Sequence, residues 1–201
     1  MKPIAIIMAQ SDREGLRDQA VQSIEENTVW PHSFYAINGL KLGEMRTVNN
    51  LIEAIPYEWE YVVRCDDDMY LNKEWLKTMY EVMVSNPDVK LLGGCRYPTH
   101  KILETRKDCH IMDIAPGNHW MLSRETWEEF GPFYEDFVCG NAEDVRFCRT
   151  LQNAGHKVAC LRNPTYVVHC GIKNTKGRGR SSYVEGYSQA LADATGAKTN
   201  K

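Results

Sequence analysis

Apolar positions in this chain alternate between short unbroken runs and helical stripes. Ile4-Ala5-Ile6-Ile7-Met8 is continuous, as expected of a strand covered on both faces. Leu16, Ala20, Val21 and Ile24 then recur at helical spacing and predict a helix with one buried stripe, with Asn27 as its stop. Ser33 to Ile37 predicts a second strand ending at Asn38-Gly39. From Arg46 onward, Val48, Leu51, Ile52 and Ile55 mark a second helix closed by Pro56. Tyr61-Val62-Val63 is the third strand. Beyond it Asn72 can cap a helix whose Trp75, Leu76, Met79, Tyr80 and Met83 form one apolar face, ended by Asn86-Pro87. Strand, helix, strand, helix, strand, helix is the pattern of a parallel sheet wound with helices.

The second half opens with a strand at Val89 to Leu92, broken at Gly93-Gly94, and continues as a less regular stretch to Asp113. Gly117 to Leu122 predicts a strand entering a helix capped by Ser123 and terminated by Gly131-Pro132. Asn141 can cap a further helix that turns Val145, Cys148 and Leu151 inward and stops at Gly155. Two short strands, His156 to Leu161 and Thr165 to Cys170, complete the regular part. The expected architecture is one α/β domain over residues 1–172, with a mostly parallel central sheet flanked by helices. Residues 173–201, rich in Gly, Ser, Lys and Arg, form a flexible basic tail.

Composition narrows this picture modestly. With 201 residues, 43% hydrophobic and 25% charged, the chain can bury one continuous core. A net charge of −3 gives no overall reason to expect a polyanionic partner. No run approaches the roughly 18 apolar residues of a membrane span, and Ile4 to Met8 is too short for a signal peptide's apolar region. Cys65, Cys95, Cys109, Cys139, Cys148, Cys160 and Cys170 contain no C-x-x-C pair, which favours buried free thiols in a reducing compartment over a zinc site or disulfide framework. The expectation is a soluble, cytoplasmic protein.

The chemistry concentrates at Asp66-Asp67-Asp68, directly behind the third strand. Three adjacent carboxylates repel one another and need a cation or solvent to offset them. Alternation in an extended segment points Asp66 and Asp68 one way and Asp67 the other. That makes an Asp-x-Asp pair of hard oxygen ligands, suited to Mg²⁺ or Mn²⁺ holding a diphosphate. A solvated acidic turn is the simpler account of three Asp alone. In wound parallel sheets, however, ligands bind beyond the carboxyl ends of the strands, where Asp12 and Asp66 to Asp68 fall.

The order of features resembles the family 2 glycosyltransferases, which have the GT-A (Rossmann-like) fold. Four pieces carry the resemblance: Cys65-Asp66-Asp67-Asp68 with Leu71-Asn72-Lys73-Glu74-Trp75-Leu76; Phe130-Gly131-Pro132-Phe133-Tyr134-Glu135; Gly140-Asn141-Ala142-Glu143-Asp144-Val145-Arg146; and Gly155-His156-Lys157-Val158. The resemblance implies a metal-dependent enzyme that moves a hexosyl or pentosyl group from a nucleotide-diphosphate sugar, UDP-linked, to an acceptor hydroxyl, with inversion. It assigns Asp68 and Asp66 to the metal, with Asp66 and Asp67 beside the nucleotide, His169 as a further ligand from a late strand, and Asp144 as general base with Glu143 as its alternative. A lone His in an apolar strand is otherwise a satisfied core residue, and acidic residues in a first helical turn stabilise helices without further function.

Asp12 and Arg13, where the family usually has a Pro-Thr-Tyr-Asn-like turn, are candidate nucleoside contacts. Arg46 is a candidate phosphate contact, and His119 and Trp120 candidate walls of the sugar or acceptor pocket. In the tail, Lys176, Arg178 and Arg180 either close over the donor diphosphate as a lid or contact the phosphates of a nucleic-acid acceptor. The acceptor is left open among a carbohydrate, a small molecule and a hydroxylated DNA base. Two rivals stand beside this assignment. A nucleotidyltransferase would normally carry a Gly-rich basic loop that Ala9 to Arg13 does not resemble. A non-catalytic sugar-nucleotide-binding module would have no use for Glu143-Asp144.

Overall fold

A computed structural model describes residues 3–10, 14–38, 44–135 and 143–170 of the chain. The first unbroken apolar run becomes β1 (Ile4–Gln10), followed by α1 (Glu14–Asn27), β2 (His32–Asn38), α2 (Glu44–Glu53) and β3 (Tyr61–Cys65). Next come β4 (Met69–Leu71), α3 (Trp75–Ser85), β5 (Val89–Gly93), β6 (Ile102–Thr105), β7 (Cys109–Met112) and β8 (His119–Ser123). The described chain ends with α4 (Arg124–Phe130), α5 (Glu143–Asn153), β9 (Lys157–Leu161) and β10 (Val167–His169).

The main sheet has the order β2-β1-β3-β8-β5-β9-β7-β6. Strands β2, β1, β3, β5, β9 and β6 run one way, while β8 and β7 run against them. The sheet is therefore mostly parallel in direction, as the alternating pattern predicts, with β8 inserted antiparallel between β3 and β5. Successive residues of β1 serve opposite faces. Ile4, Ile6 and Met8 pack with Ala20, Ile24 and Met79 of α1 and α3, while Ala5 and Ile7 pack with Val48, Ile52 and Leu151 of α2 and α5. Each such aliphatic side chain contributes about 1.5–3 kcal/mol through burial. Helices thus cover both faces of one α/β sheet.

Three local expectations are corrected. The stretch between Gly94 and Asp113 contains the antiparallel hairpin β6–β7, whose outer strand is too exposed to show an apolar run. The β3–β8 pairing adds an antiparallel strand to the core of the sheet. Asn72 does not cap α3: the cap is Glu74, in left-handed backbone at φ 66° with no side-chain cap bond, while the Asn72 carbonyl accepts from the Trp75 amide. Ser123 does cap α4, its hydroxyl accepting from the Thr126 amide, and Gly155, at φ 88°, follows α5 in a conformation that favours glycine. Asn141 lies outside the described residues.

Candidate active site

Because β3 stops at Cys65, Asp66-Asp67-Asp68 is a turn into β4, and the alternation of an extended strand does not govern it. Each aspartate is placed separately. The Asp66 amide donates to the Asn118 carbonyl at 2.9 Å, and its Oδ1 accepts from Arg64 Nη2 at 2.9 Å. The Arg64 side chain is only 3% exposed, and a guanidinium at that depth requires a carboxylate beside it. Arg64 thus supplies part of the charge compensation that the acidic triplet demands. Asp67 is buried. Asp68 is buried too, and its Oδ2 lies 3.2 Å from His169 Nε2.

A short ribbon brings Asp68 and His169 together. β4 and β10 pair antiparallel, with Met69 opposite His169, and the Cys170 amide donates to the Asp68 carbonyl. Helix α1 fixes the ribbon from behind: Ser23 Oγ accepts from the Leu71 amide at 3.1 Å, and Asn27 Nδ2 donates to the Leu71 carbonyl at 2.8 Å. Asn27 is therefore a tether as well as a helix end. Gly94 admits the ribbon to the sheet edge, since a Cβ there would lie 2.8 Å from a Val167 methyl.

The Asp68–His169 pair fits a divalent cation. Adjacent ligands of an octahedral ion bound at about 2.1 Å lie about 3.0 Å apart, close to the 3.2 Å between the Asp68 oxygen and the His169 nitrogen. Among the described residues no group of three His, Cys, Asp or Glu side chains converges on one point. Such an ion would therefore take its remaining ligands from substrate and water, the usual arrangement when phosphates are held.

Asp144 lies half-buried in the first turn of α5. Its Oδ1 accepts from the Val145 amide at 2.7 Å and its Oδ2 from the Gly117 amide at 3.1 Å. Gly117 leads into Asn118, whose carbonyl takes the Asp66 amide, so both acidic positions are anchored on the two residues that precede β8. The Asn118 side chain works to the other side: Nδ2 donates to the Tyr97 hydroxyl at 2.8 Å, and Oδ1 accepts from Cys95 Sγ at 3.4 Å.

Arg46 is paired with Glu135, Nε to Oε2 at 2.8 Å. His119 and Trp120 are not walls of an open pocket: both are buried, His119 edge-on to Trp75 and Trp120 against Phe133. They alternate across β8 and belong to the packing on its two faces. Burial lowers the His119 pKa to about 3 and pushes the Cys95 and Cys148 thiols up to about 12, so at neutral pH these groups are uncharged. Asp12, Arg13, Lys176, Arg178, Arg180 and the Glu143 side chain lie outside the described residues. Arg64, Tyr97 and Asn118 escaped the sequence reasoning. Only Arg64 left a signal there, a cation inside an apolar strand next to three anions.

No family model and no curated protein matches the chain. Solved structures do. A mutant Drosophila β1,4-galactosyltransferase 7, solved with manganese, UDP-Gal and xylobiose, is 16% identical with a TM-score of 0.61, the match covering 92% of this chain and 79% of that one. A mannosyltransferase from Pyrobaculum calidifontis, solved with GDP-Man and Mn²⁺, is 13% identical with a TM-score of 0.60, covering 100% of this chain and 65% of that one. GalNAc-T7, solved with UDP, GalNAc and Mn²⁺, is 10% identical with a TM-score of 0.65, and the match spans 94% of this chain but only 48% of that enzyme. The mostly parallel sheet, the helices on both of its faces and these likenesses together identify the domain as a GT-A fold.

Proposed function

We propose that the chain is a metal-dependent glycosyltransferase that moves a sugar from a nucleotide-diphosphate donor, UDP-linked, to an acceptor hydroxyl, with inversion. The observation that carries the proposal is the convergence of the Asp68 carboxylate and the His169 imidazole, 3.2 Å apart, at the carboxyl edge of the sheet. The nitrogen donor favours Mn²⁺ over Mg²⁺, which prefers oxygen ligands, and the neighbouring structures that hold a nucleotide or nucleotide sugar hold manganese. When bound, the cation supplies charge stabilisation to the departing diphosphate.

The chain's own residues do the rest. Asp68 and His169 hold the cation, and Asp66, kept in place by Arg64, faces the ribose side of the nucleotide. Asp144 takes the proton from the acceptor hydroxyl as that oxygen attacks the anomeric carbon. Its position in the first turn of α5 favours the carboxylate form that a base requires. Lys176, Arg178 and Arg180 serve as a lid that excludes water from the donor.

The test combines Mn²⁺ titration by electron paramagnetic resonance with turnover of nucleotide sugars. Asp68→Asn should weaken Mn²⁺ binding and abolish both transfer and the slow donor hydrolysis expected of the wild type without acceptor. Asp144→Asn should lower kcat by about 10²- to 10⁴-fold with donor affinity unchanged. Retention of metal dependence and transfer by Asp68→Asn removes the metal assignment. A wild-type protein that binds donor and leaves it whole is a binding module.

A further inference from the structure

We infer that Tyr97 is a positioning residue for the site: it clamps the His169 imidazole in the orientation that aims Nε2 at Asp68. This deepens the metal-site assignment above and rests on it. Tyr97 lies in the loop between β5 and β6, far from His169 in sequence, and nothing in the local pattern singles it out. Its ring stands edge-on to His169, centroids 6.1 Å apart at an interplanar angle of 62°, within the range of favourable aromatic pairs. His100 packs against it as well, at 5.5 Å and 74°, and the His100 amide donates to the Tyr97 carbonyl, closing the loop on itself.

The Tyr97 ring makes the contact, and its hydroxyl adds an anchor that ties the ring to the rest of the site. It accepts from Asn118 Nδ2 at 2.8 Å, and Asn118 is 7% exposed with Oδ1 engaged by the Cys95 thiol. The same Asn118 holds the Asp66 amide through its carbonyl, and it follows Gly117, whose amide holds Asp144. One anchored residue therefore sets the Asp66 end of the acidic turn and, through Tyr97, the imidazole that meets the Asp68 end. The Asp68 to His169 contact is fixed along the backbone by the β4–β10 ribbon, but backbone pairing does not by itself set the imidazole's side-chain torsions. The Tyr97 ring, together with the Asp68 contact, holds them. Groups that orient a metal-binding histidine from outside the ligand set are commonly worth about 10- to 100-fold in metal affinity.

The experiment uses the full chain and two readouts. In metal-free protein labelled at histidine, the His169 ring signal, assigned by its loss in His169→Gln, reports the clamp directly. Tyr97→Leu should broaden that signal or move it toward the free-imidazole position, and Tyr97→Phe, which keeps the ring but loses the hydroxyl, should restore most of it. In the second readout Tyr97→Leu should weaken Mn²⁺ binding by about 10- to 100-fold, Tyr97→Phe by less, with thermal unfolding midpoints showing that both variants are folded. Asp68→Asn runs beside them: if it leaves Mn²⁺ affinity unchanged, the metal assignment falls while the ring signal still judges the clamp. An unmoved His169 signal in a folded Tyr97→Leu protein overturns the inference. So does Mn²⁺ affinity within twofold of wild type where Asp68→Asn has lost it.

Discussion

Burial keeps the His119 imidazole neutral down to about pH 3, with the nearby Arg64 cation acting in the same direction. In the unfolded chain the same ring takes up a proton near pH 6.5, so the unfolded state binds more protons throughout the interval between. The stabilising effect is fully present above pH 6.5 and drains away as pH falls toward 3, at up to about 1.4 kcal/mol per pH unit. Urea midpoints measured from pH 7.5 to pH 4 should therefore fall, and His119→Leu should flatten the slope. A slope unchanged in that variant would assign the acid sensitivity to other groups. Asp88 adds a separate window lower down. Arg106 grips its two oxygens at 2.8 Å each and holds its carboxyl at about 2, so its contribution is present above the ordinary carboxylate range and disappears as pH falls toward 2.

Among the elements, the β4–β10 ribbon is the one whose placement the site depends on most directly. Gly94→Ala should drive a methyl group into Val167 and His119, displacing the ribbon and costing about 1–3 kcal/mol as an overpacked contact. Metal affinity should fall with it, because His169 follows Val167 in the same strand. Ser23→Ala and Asn27→Ala, which leave backbone groups of buried Leu71 unsatisfied, should each cost about 1–3 kcal/mol in chemical denaturation. Only the β10 half of this ribbon was legible in sequence, inside the strand expected at Thr165 to Cys170. Met69-Tyr70-Leu71 is too short to register as a strand beside the Asp triplet, and its partner lies near the chain's other end. The long periodic elements were legible: Ala20 and Ile24 do form the buried stripe of α1, with Leu16 half-buried beside them, and Trp75, Leu76, Met79 and Met83 form that of α3. Asp68 could be singled out by its charge crowding, and His169 only by resemblance. Tyr97 and Asn118 act through tertiary contacts that leave no local mark.

For the molecule as a whole, helices on both faces of the sheet leave its carboxyl edge as the place where β3, β5 and β9 end and β8 begins. No helix among the described residues is long and apolar enough to cross a membrane. A donor and Mn²⁺ bound at that edge should stabilise the folded state by about 2.7 kcal/mol when free ligand is at a hundred times its dissociation constant. A thermal-shift panel of nucleotide sugars with and without Mn²⁺ would read this gain, and Asp68→Asn should erase the part that requires metal. If no nucleotide sugar raises the midpoint in either condition, the proposed donor class is wrong.

The insertion of β8 between β3 and β5 also constrains how the molecule is made. Until Tyr61–Cys65 and Val89–Gly93 receive the strand spanning His119–Ser123, they have no common partner, and one long edge of β3 stays open while the ribosome emits the intervening residues. The strand that closes this gap begins just after Gly117-Asn118, so joining the two halves of the sheet also sets in place the two residues that anchor Asp66 and, once α5 follows, Asp144.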